Sequence, residues 1–198
     1  MVAPTIWVFE PDAAALALGS TQSPADVDDA AAAALGVEVL RRRSGGGAVL
    51  LEPGGSLWID VVLPSEDHRW TADVSAAAVW LGEVWADAIG LVGRPGAQVH
   101  RGPMRTTPIS SVVCFAGLAP GEVLGEGKVV GISQRRTRDA ARFQSVAMLR
   151  WDWSMHQRLL APGLDRVGDD VTEPSVSPLT EVSIEELLDA FLDSIDRS

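Results

Sequence analysis

Three consecutive glycines, Gly45-Gly46-Gly47, separate two short apolar runs, Val37–Leu40 and Ala48–Leu51. Three glycines in a row are costly inside a helix or a strand, so this part of the chain reads as strand, loop, strand. A glycine loop lets a ligand come close to bare backbone N–H groups. The segment just before it, Arg41-Arg42-Arg43-Ser44, adds charge suited to a phosphate or a carboxylate. It is not the phosphate loop of nucleotide hydrolases, which needs Gly-x-x-x-x-Gly-Lys-Ser/Thr and a following helix. A flexible hairpin with a solvated basic end has the same composition, so these residues alone leave both readings open.

Around this loop the chain reads as a mixture of strands and helices. Thr5–Glu10 alternates, with Ile6 and Val8 against Trp7 and Phe9, and Ala15–Leu18 is a short apolar run ending at Gly19. Asp26–Leu35 is alanine-rich, acidic in its first turn and closed by Gly36, the pattern of a helix. Further strands are expected at Ser56–Leu63, Gln98–Arg101, Ile109–Phe115, Lys128–Ile132 and Phe143–Leu149. The clearest helix is Val74–Ile89, with Asp73 as N-cap, Gly90 as stop, and Trp80 and Trp85 as core residues. The last helix, 183–196, opens with a capping box of Ser183 and Glu186 and has Leu187, Phe191 and Ile195 on its apolar side. Pro162–Pro178, rich in Asp, Pro and Ser, reads as a loop. Strands and helices do not alternate regularly, so the expected fold class is α+β, a mostly antiparallel or mixed sheet flanked by helices 74–89 and 183–196.

The 198 residues suffice for one domain with a real core. A net charge of −11 repels a phosphate backbone, so no nucleic-acid partner is expected. No apolar run approaches the ~18 residues a membrane span needs, so no membrane association is expected either. The first residues lack a basic flank followed by an apolar stretch, so no secretion signal is read there. The single cysteine, Cys114, cannot form an internal disulfide and suits a reducing cytoplasm. His68, His100 and His156 are widely spaced; surface or structural roles are expected for them, and no metal site. Fifteen of the sixteen basic residues are Arg, and the lone lysine is Lys128. It is either a survivor of compositional drift or a position where a compact ammonium cannot be replaced by a guanidinium.

Lys128 lies in the second motif, Gly125-Glu126-Gly127-Lys128-Val129-Val130-Gly131-Ile132-Ser133-Gln134-Arg135-Arg136. Gly125 to Gly127 form a hairpin-type turn, Lys128 begins the next strand, and Gly131 permits close approach to it. Taken with Arg41 to Val49 about 80 residues earlier, this segment resembles the lipoate–protein ligase A family, which shares its catalytic fold with biotin–protein ligases and octanoyltransferases. Leu18-Gly19-Ser20-Thr21-Gln22 resembles the family's early Gly-x-x-Gln turn, and Pro178-Leu179-Thr180-Glu181-Val182 its C-terminal end.

The resemblance implies one catalytic domain over residues 1–198, without an accessory C-terminal domain and without a helix before the first strand. It implies transfer of a lipoyl or octanoyl group to a lysine of a lipoyl carrier domain or a glycine-cleavage H-type protein. In such ligases a carboxylate attacks the α-phosphate of ATP, with Mg²⁺, to give an acyl-adenylate. Lys128 would then hold the acyl carbonyl and phosphate, Gly45, Gly46 and Gly47 would line the acyl tunnel beside Ser44, and Arg43 would face the nucleotide. Gly131 and Ser133 would border the same pocket.

The chain departs from the family's pattern in two site segments. Where such ligases carry an Arg-Asn-Asp-like segment for nucleotide and metal, it reads Ser110-Ser111-Val112-Val113-Cys114-Phe115-Ala116, with no acid before Glu122. Where they often show His-His-Gly, it reads Arg142-Phe143-Gln144-Ser145. Cys114-Phe115 instead resembles the nucleophile position of the cysteine-dependent octanoyltransferases, in which a thioester replaces the adenylate and ATP is not needed. A buried structural cysteine is the other reading of Cys114. A non-catalytic acyl-binding protein that keeps the tunnel is a third possibility. Lipoate, octanoate and biotin are not separated by these residues.

Overall fold

The structure is a computed structural model. It describes residues 3–164 and 173–198, together with the backbone of Arg166–Val167 and Asp170–Val171. The centre is a six-stranded antiparallel sheet in the order β1-β5-β9-β8-β7-β6. Its strands are β1 (Thr5–Phe9), β5 (Ser56–Pro64), β6 (Gln98–Val99), β7 (Val123–Leu124), β8 (Lys128–Arg136) and β9 (Ala140–Met148). A smaller sheet packs across part of one face. It consists of β2 (Ala15–Leu18) between β3 (Glu38–Arg41), which is parallel to it, and β4 (Val49–Leu51), which is antiparallel. The pair β10 (Arg166–Val167) and β11 (Asp170–Val171) is separate.

The period of two in the strands divides the large sheet into two chemically different faces. Leu57, Ile59, Val61, Ala141, Phe143 and Ile132 turn to one side. There they meet α2 (Val74–Leu91) and α4 (Ile184–Asp196) in a single apolar cluster. The residues between them turn to the other side: Trp7, Asp60, Gln144 and Ser133 align in register across four strands, as do Phe9, Trp58, Val146 and Gly131. On that side Val146 and Met148 pack against Ala17 and Val49 of the small sheet.

The fold class is the expected α+β, with the sheet flanked by helices 74–91 and 184–196. Asp73 caps α2 by accepting from Ser75 and Ala76 N–H, and both hydrogen bonds of the Ser183–Glu186 capping box are formed. Trp85 is fully buried against Phe191, at 4.5 Å between centroids, and Trp80 packs edge-on to Phe143.

Several boundaries are corrected. Gly90 does not stop α2; the helix runs through it to Leu91, and Val92 caps it. At 18 residues with a mean hydropathy of 1.3, α2 does reach membrane-spanning length and apolarity. It spends that apolarity on the sheet and on α4, as a core helix. The first helix, α1 (Asp29–Leu35), starts three residues late because Asp28 is its N-cap, and a 3₁₀ turn occupies Pro24–Asp26. Ile109–Phe115 is not a strand: it is a series of turns touching the small sheet through one parallel bridge, Ala48 to Val113. A helix that composition did not reveal, α3 (Trp153–Leu159), follows β9 with Asp152 as N-cap. Part of the expected loop Pro162–Pro178 lies outside the described residues; beyond it, Val176 pairs in parallel with Lys128.

Candidate active site

The glycine loop is held in place by the arginines that precede it. Arg41 donates to the carbonyls of Gly19 (2.9 Å), Ser20 (3.3 Å) and Gln22 (2.8 Å), fixing the turn after β2. Arg42 donates to the carbonyls of Gly45 and Gly47, both at 2.7 Å. The Gln22 amide ties this turn to the next loop, accepting from Gly19 N–H at 3.2 Å and donating to Val112 C=O at 3.0 Å. Backbone meets backbone here. A Cβ on Gly19 would collide with the Gly46 carbonyl, and one on Gly47 with Val112 and Val113. Among the described residues, none of the N–H groups of Gly45, Gly46 and Gly47 donates to a protein acceptor. The carbonyls of Gly45 and Gly47 are satisfied by Arg42, which leaves the loop its three N–H donors and the Gly46 carbonyl.

These donors border a cavity of about 260 Å³ between the loop, the turns 110–119 and the uncovered face of the large sheet. Val49, Trp58, Val113, Phe115, Ile132 and Val146 make its lining largely apolar. Lys128 stands in its wall. Its ammonium is buried (5 % exposed for the residue) and lies 2.6 Å from Glu122 Oε2, which is itself buried, and 2.9 Å from Gly117 C=O. The face of the Phe115 ring lies 4.9 Å from Nζ, within cation–π range. Glu122 also accepts from the N–H groups of Ala119 (2.7 Å) and Ile132 (3.3 Å). The pair is therefore compensated in charge and satisfied in hydrogen bonds, the condition for keeping two ions in an apolar wall.

The structure gathers Ser44, Gly45, Gly46, Gly47, Cys114, Lys128, Gly131 and Ser133 around this one cavity, although they are spread over 90 residues of sequence. Cys114 is half-buried, with its N–H bonded to Ala48 C=O at 2.7 Å. Phe115, next to it, has φ = +76°, rare for a bulky residue and a mark of imposed local strain. Arg43 is exposed and does not line the cavity; Arg42 does. Sequence reasoning missed Glu122 as a partner of Lys128, and Phe115, Trp58 and Gln144 as walls. A signal for Glu122 was present: Gly125 to Gly127 form a tight turn, which folds residues 122–124 back along the strand that begins at Lys128.

The histidines lie elsewhere. His68 is exposed, and His100 is buried with Nε2 2.9 Å from Pro103 C=O. His156 on α3 is buried between Trp151 and Trp153. Its Nε2 accepts from Leu50 N–H and its Nδ1 donates to Asp152 C=O. Burial pushes its pKa below the usual 6.5.

The model of the lipoyl protein ligase A/B catalytic domain matches residues 2–196. The chain belongs to that family. No individual curated protein matches it in sequence. Among solved structures it is similar to a lipoate-protein ligase A bound with ATP (TM-score 0.75, 20 % identity, covering 98 % of this chain and 72 % of that one). It is similar as well to a lipoate protein ligase of T. acidophilum with bound lipoic acid (TM-score 0.73, 20 % identity, 98 % and 72 %). A third likeness is to the bi-partite Thermoplasma acidophilum ligase described with its E2 lipoyl domain (TM-score 0.74, 20 % identity, 98 % and 70 %). At these identities the likeness is one of fold, and the lipoate-ligase-type catalytic domain places the chain among ligase- and transferase-class enzymes.

Proposed function

We propose that this protein attaches a lipoyl or octanoyl group to a lysine of a lipoyl carrier domain, through an acyl-adenylate whose carbonyl and phosphate are held by Lys128. One observation carries the reading: the chain's only lysine is buried in the wall of a largely apolar cavity that faces unbonded glycine N–H groups. An acyl chain suits the apolar lining. Its carbonyl oxygen, placed between the ammonium and the glycine loop, gains negative charge when it is attacked, and donors already in position stabilise that charge. The similar structures with lipoic acid, ATP and an E2 lipoyl domain support the substrate class, the nucleotide and the carrier. A glycine-cleavage H-type protein would present the same acceptor chemistry.

Mg²⁺, which an ATP route commonly employs, fits these residues poorly. Glu122 is, among the described residues, the one carboxylate lining the cavity, and its oxygens are taken by Lys128, Ala119 and Ile132. Among the described residues no three His, Cys, Asp or Glu side chains converge as a metal site.

The position of Cys114 in the same lining favours a second route. Its thiolate would attack the carbonyl of an acyl thioester, release the donor thiol, and hold the acyl group as a new thioester until the carrier's lysine amine displaces it. One set of reactions separates the readings. Octanoate, ATP and apo carrier should give carrier heavier by one octanoyl group by mass spectrometry. Transfer only from octanoyl acyl-carrier protein, abolished by Cys114→Ser, would replace the adenylate with the thioester. No transfer from either donor would leave a non-catalytic acyl-binding protein.

A further inference from the structure

The Lys128 ammonium has three N–H bonds to spend. One partner is the Glu122 carboxylate, another the Gly117 carbonyl, and the Phe115 ring face closes the remaining side. A substrate oxygen can reach Nζ only by displacing one of these. The three contacts are not equally replaceable. Gly117 and Phe115 belong to the turns that carry Cys114, and they meet the ammonium through a neutral carbonyl and a ring face, so displacing either strands no opposite charge. Glu122 is different. Its backbone is clamped, with its carbonyl accepting from His100 N–H at 2.9 Å and its N–H donating to Ala119 C=O. Two amides hold its carboxylate from the other side. Separating it from Lys128 would leave two uncompensated charges in an apolar wall, the costliest of the three exchanges.

We propose that Glu122 is a positioning residue of the acyl-transfer site. Its buried carboxylate keeps the Lys128 ammonium aimed into the cavity, while the Gly117 carbonyl and the Phe115 ring are the contacts that an acyl oxygen replaces. This rests on the proposed acyl transfer for its catalytic consequence, but not for the pairing itself. Glu122 touches no reacting atom; it acts through Lys128.

Because Lys128 is the only lysine, an amine-acetylating reagent followed by peptide mass spectrometry reads its state directly, apart from the N-terminus. Glu122→Gln keeps the shape but loses the charge, and should raise Lys128 labelling several-fold in the folded protein; Glu122→Asp should fall between it and wild type. In the transfer assay Glu122→Gln should lower kcat by up to about a hundredfold, the cost of a misplaced catalytic group. The KM for the acyl donor should change little, and Glu122→Asp should recover part of the loss. Thermal melts confirm that each variant is folded, and Glu122→Asp carries the test alone if Glu122→Gln does not fold. Labelling and kcat both unchanged in a folded variant would overturn the proposal, as would a loss confined to KM. If wild type transfers nothing, the functional reading fails, and labelling alone then decides whether Glu122 holds Lys128.

Discussion

Ile59, Val61 and Phe143 turn toward α2 and α4 and join a continuous apolar cluster with Trp85 and Phe191. Asp60, Arg142 and Gln144, alternating with them along the same strands, turn the other way and bond to one another. Asp60 accepts from Trp58 Nε1 at 3.0 Å, from Arg142 Nε at 2.6 Å and from Gln144 Nε2 at 3.4 Å. Farther along that face stands the cavity with its buried Lys128–Glu122 pair. The same sheet thus has one side where burial is apolar and non-directional, and another where buried groups require specific partners. Stability is concentrated on the first side, and chemistry becomes possible on the second.

If this division is real, damage to the two faces should differ in kind. The largest expected effect is on the helix-covered side. Trp85→Ala empties a fully buried site and removes a ring contact, and should cost about 3–5 kcal/mol of stability. For a chain of this size that is a fall in Tm of roughly 6–20 °C. Acyl transfer per folded molecule should stay near wild type, because the cavity lies on the other side of the sheet. A Trp85→Ala protein with normal melting, or one folded but inactive, would break the comparison.

Next in size is Lys128→Arg. Arginine keeps a positive charge beside Glu122, so melting should move little. Its planar fork cannot take the place of a compact ammonium next to a carbonyl. Loss of one such donor costs about 3 kcal/mol of barrier, roughly a hundredfold or more in rate. Carrier mass shifts for wild type and variant, with melts as control, check this. Equal transfer by both proteins would remove Lys128 from the chemistry and leave the second face merely polar.

The same division explains what could be read from the sequence. Strands facing the helices declared themselves through alternation, and α4 through its capping box, because both signals are local. The run Ile109–Phe115 looked like a strand from its apolar β-branched residues, yet it has to turn so that Cys114 and Phe115 face the cavity while Val113 bridges to Ala48. Tertiary demand overrode propensity there. Helix α3 was passed over because its buried positions, Trp153, His156 and Leu159, include a histidine in place of an aliphatic residue, although Asp152 stood ready as cap. In the site, the glycine loop and Lys128 were legible as residue types at a spacing. The roles of Arg41 and Arg42 were not: they looked like ligands for an anion, and the structure shows Arg41 bonded to carbonyls of the turn after β2 and Arg42 to carbonyls of the glycine loop. Partnerships of this sort, like that of Glu122 with Lys128, exist only once the chain has folded.

A smaller effect should separate the two buried carboxylates of the second face. Arg142, the partner of Asp60, has a side chain 37 % exposed and can return to water, and asparagine preserves an acceptor for Trp58. Asp60→Asn should therefore cost only about 1–2 kcal/mol, read as a shift in denaturant midpoint, with transfer within a few-fold of wild type. Glu122→Gln should show a different balance: it strands the Lys128 ammonium in an apolar wall, so it should cost more stability than Asp60→Asn and lower the transfer rate as well. Transfer abolished by Asp60→Asn at unchanged stability would move the whole Trp58–Asp60–Gln144 network into the active site.

The smallest effect is a pH dependence from the wall behind the small sheet. His156 is neutral in the folded protein, because its Nε2 accepts Leu50 N–H and protonation would turn that acceptor into a second donor. Burial lowers its pKa below 6.5, whereas in the unfolded chain it titrates near 6.5. The unfolded state therefore binds the proton more readily, so stability is retained above pH 6.5 and declines as the pH falls below it. Asp67 works in a separate, more acidic window. The Arg69 guanidinium holds its pKa at about 2, so its contribution is lost only as pH falls through the range from 3.8 toward that value. Denaturant titrations between pH 7.5 and about pH 4.5 should thus show a decline that His156→Gln, which cannot titrate, flattens. At pH 7.5 the variant has lost the ring's bonds to Leu50 N–H and Asp152 C=O and its stacking, a cost that does not vary with pH, so its distinctive signature is the missing slope. An identical slope in both proteins would mean that His156 accepts its proton without disturbing the fold, and that the Leu50 contact is not what keeps it neutral.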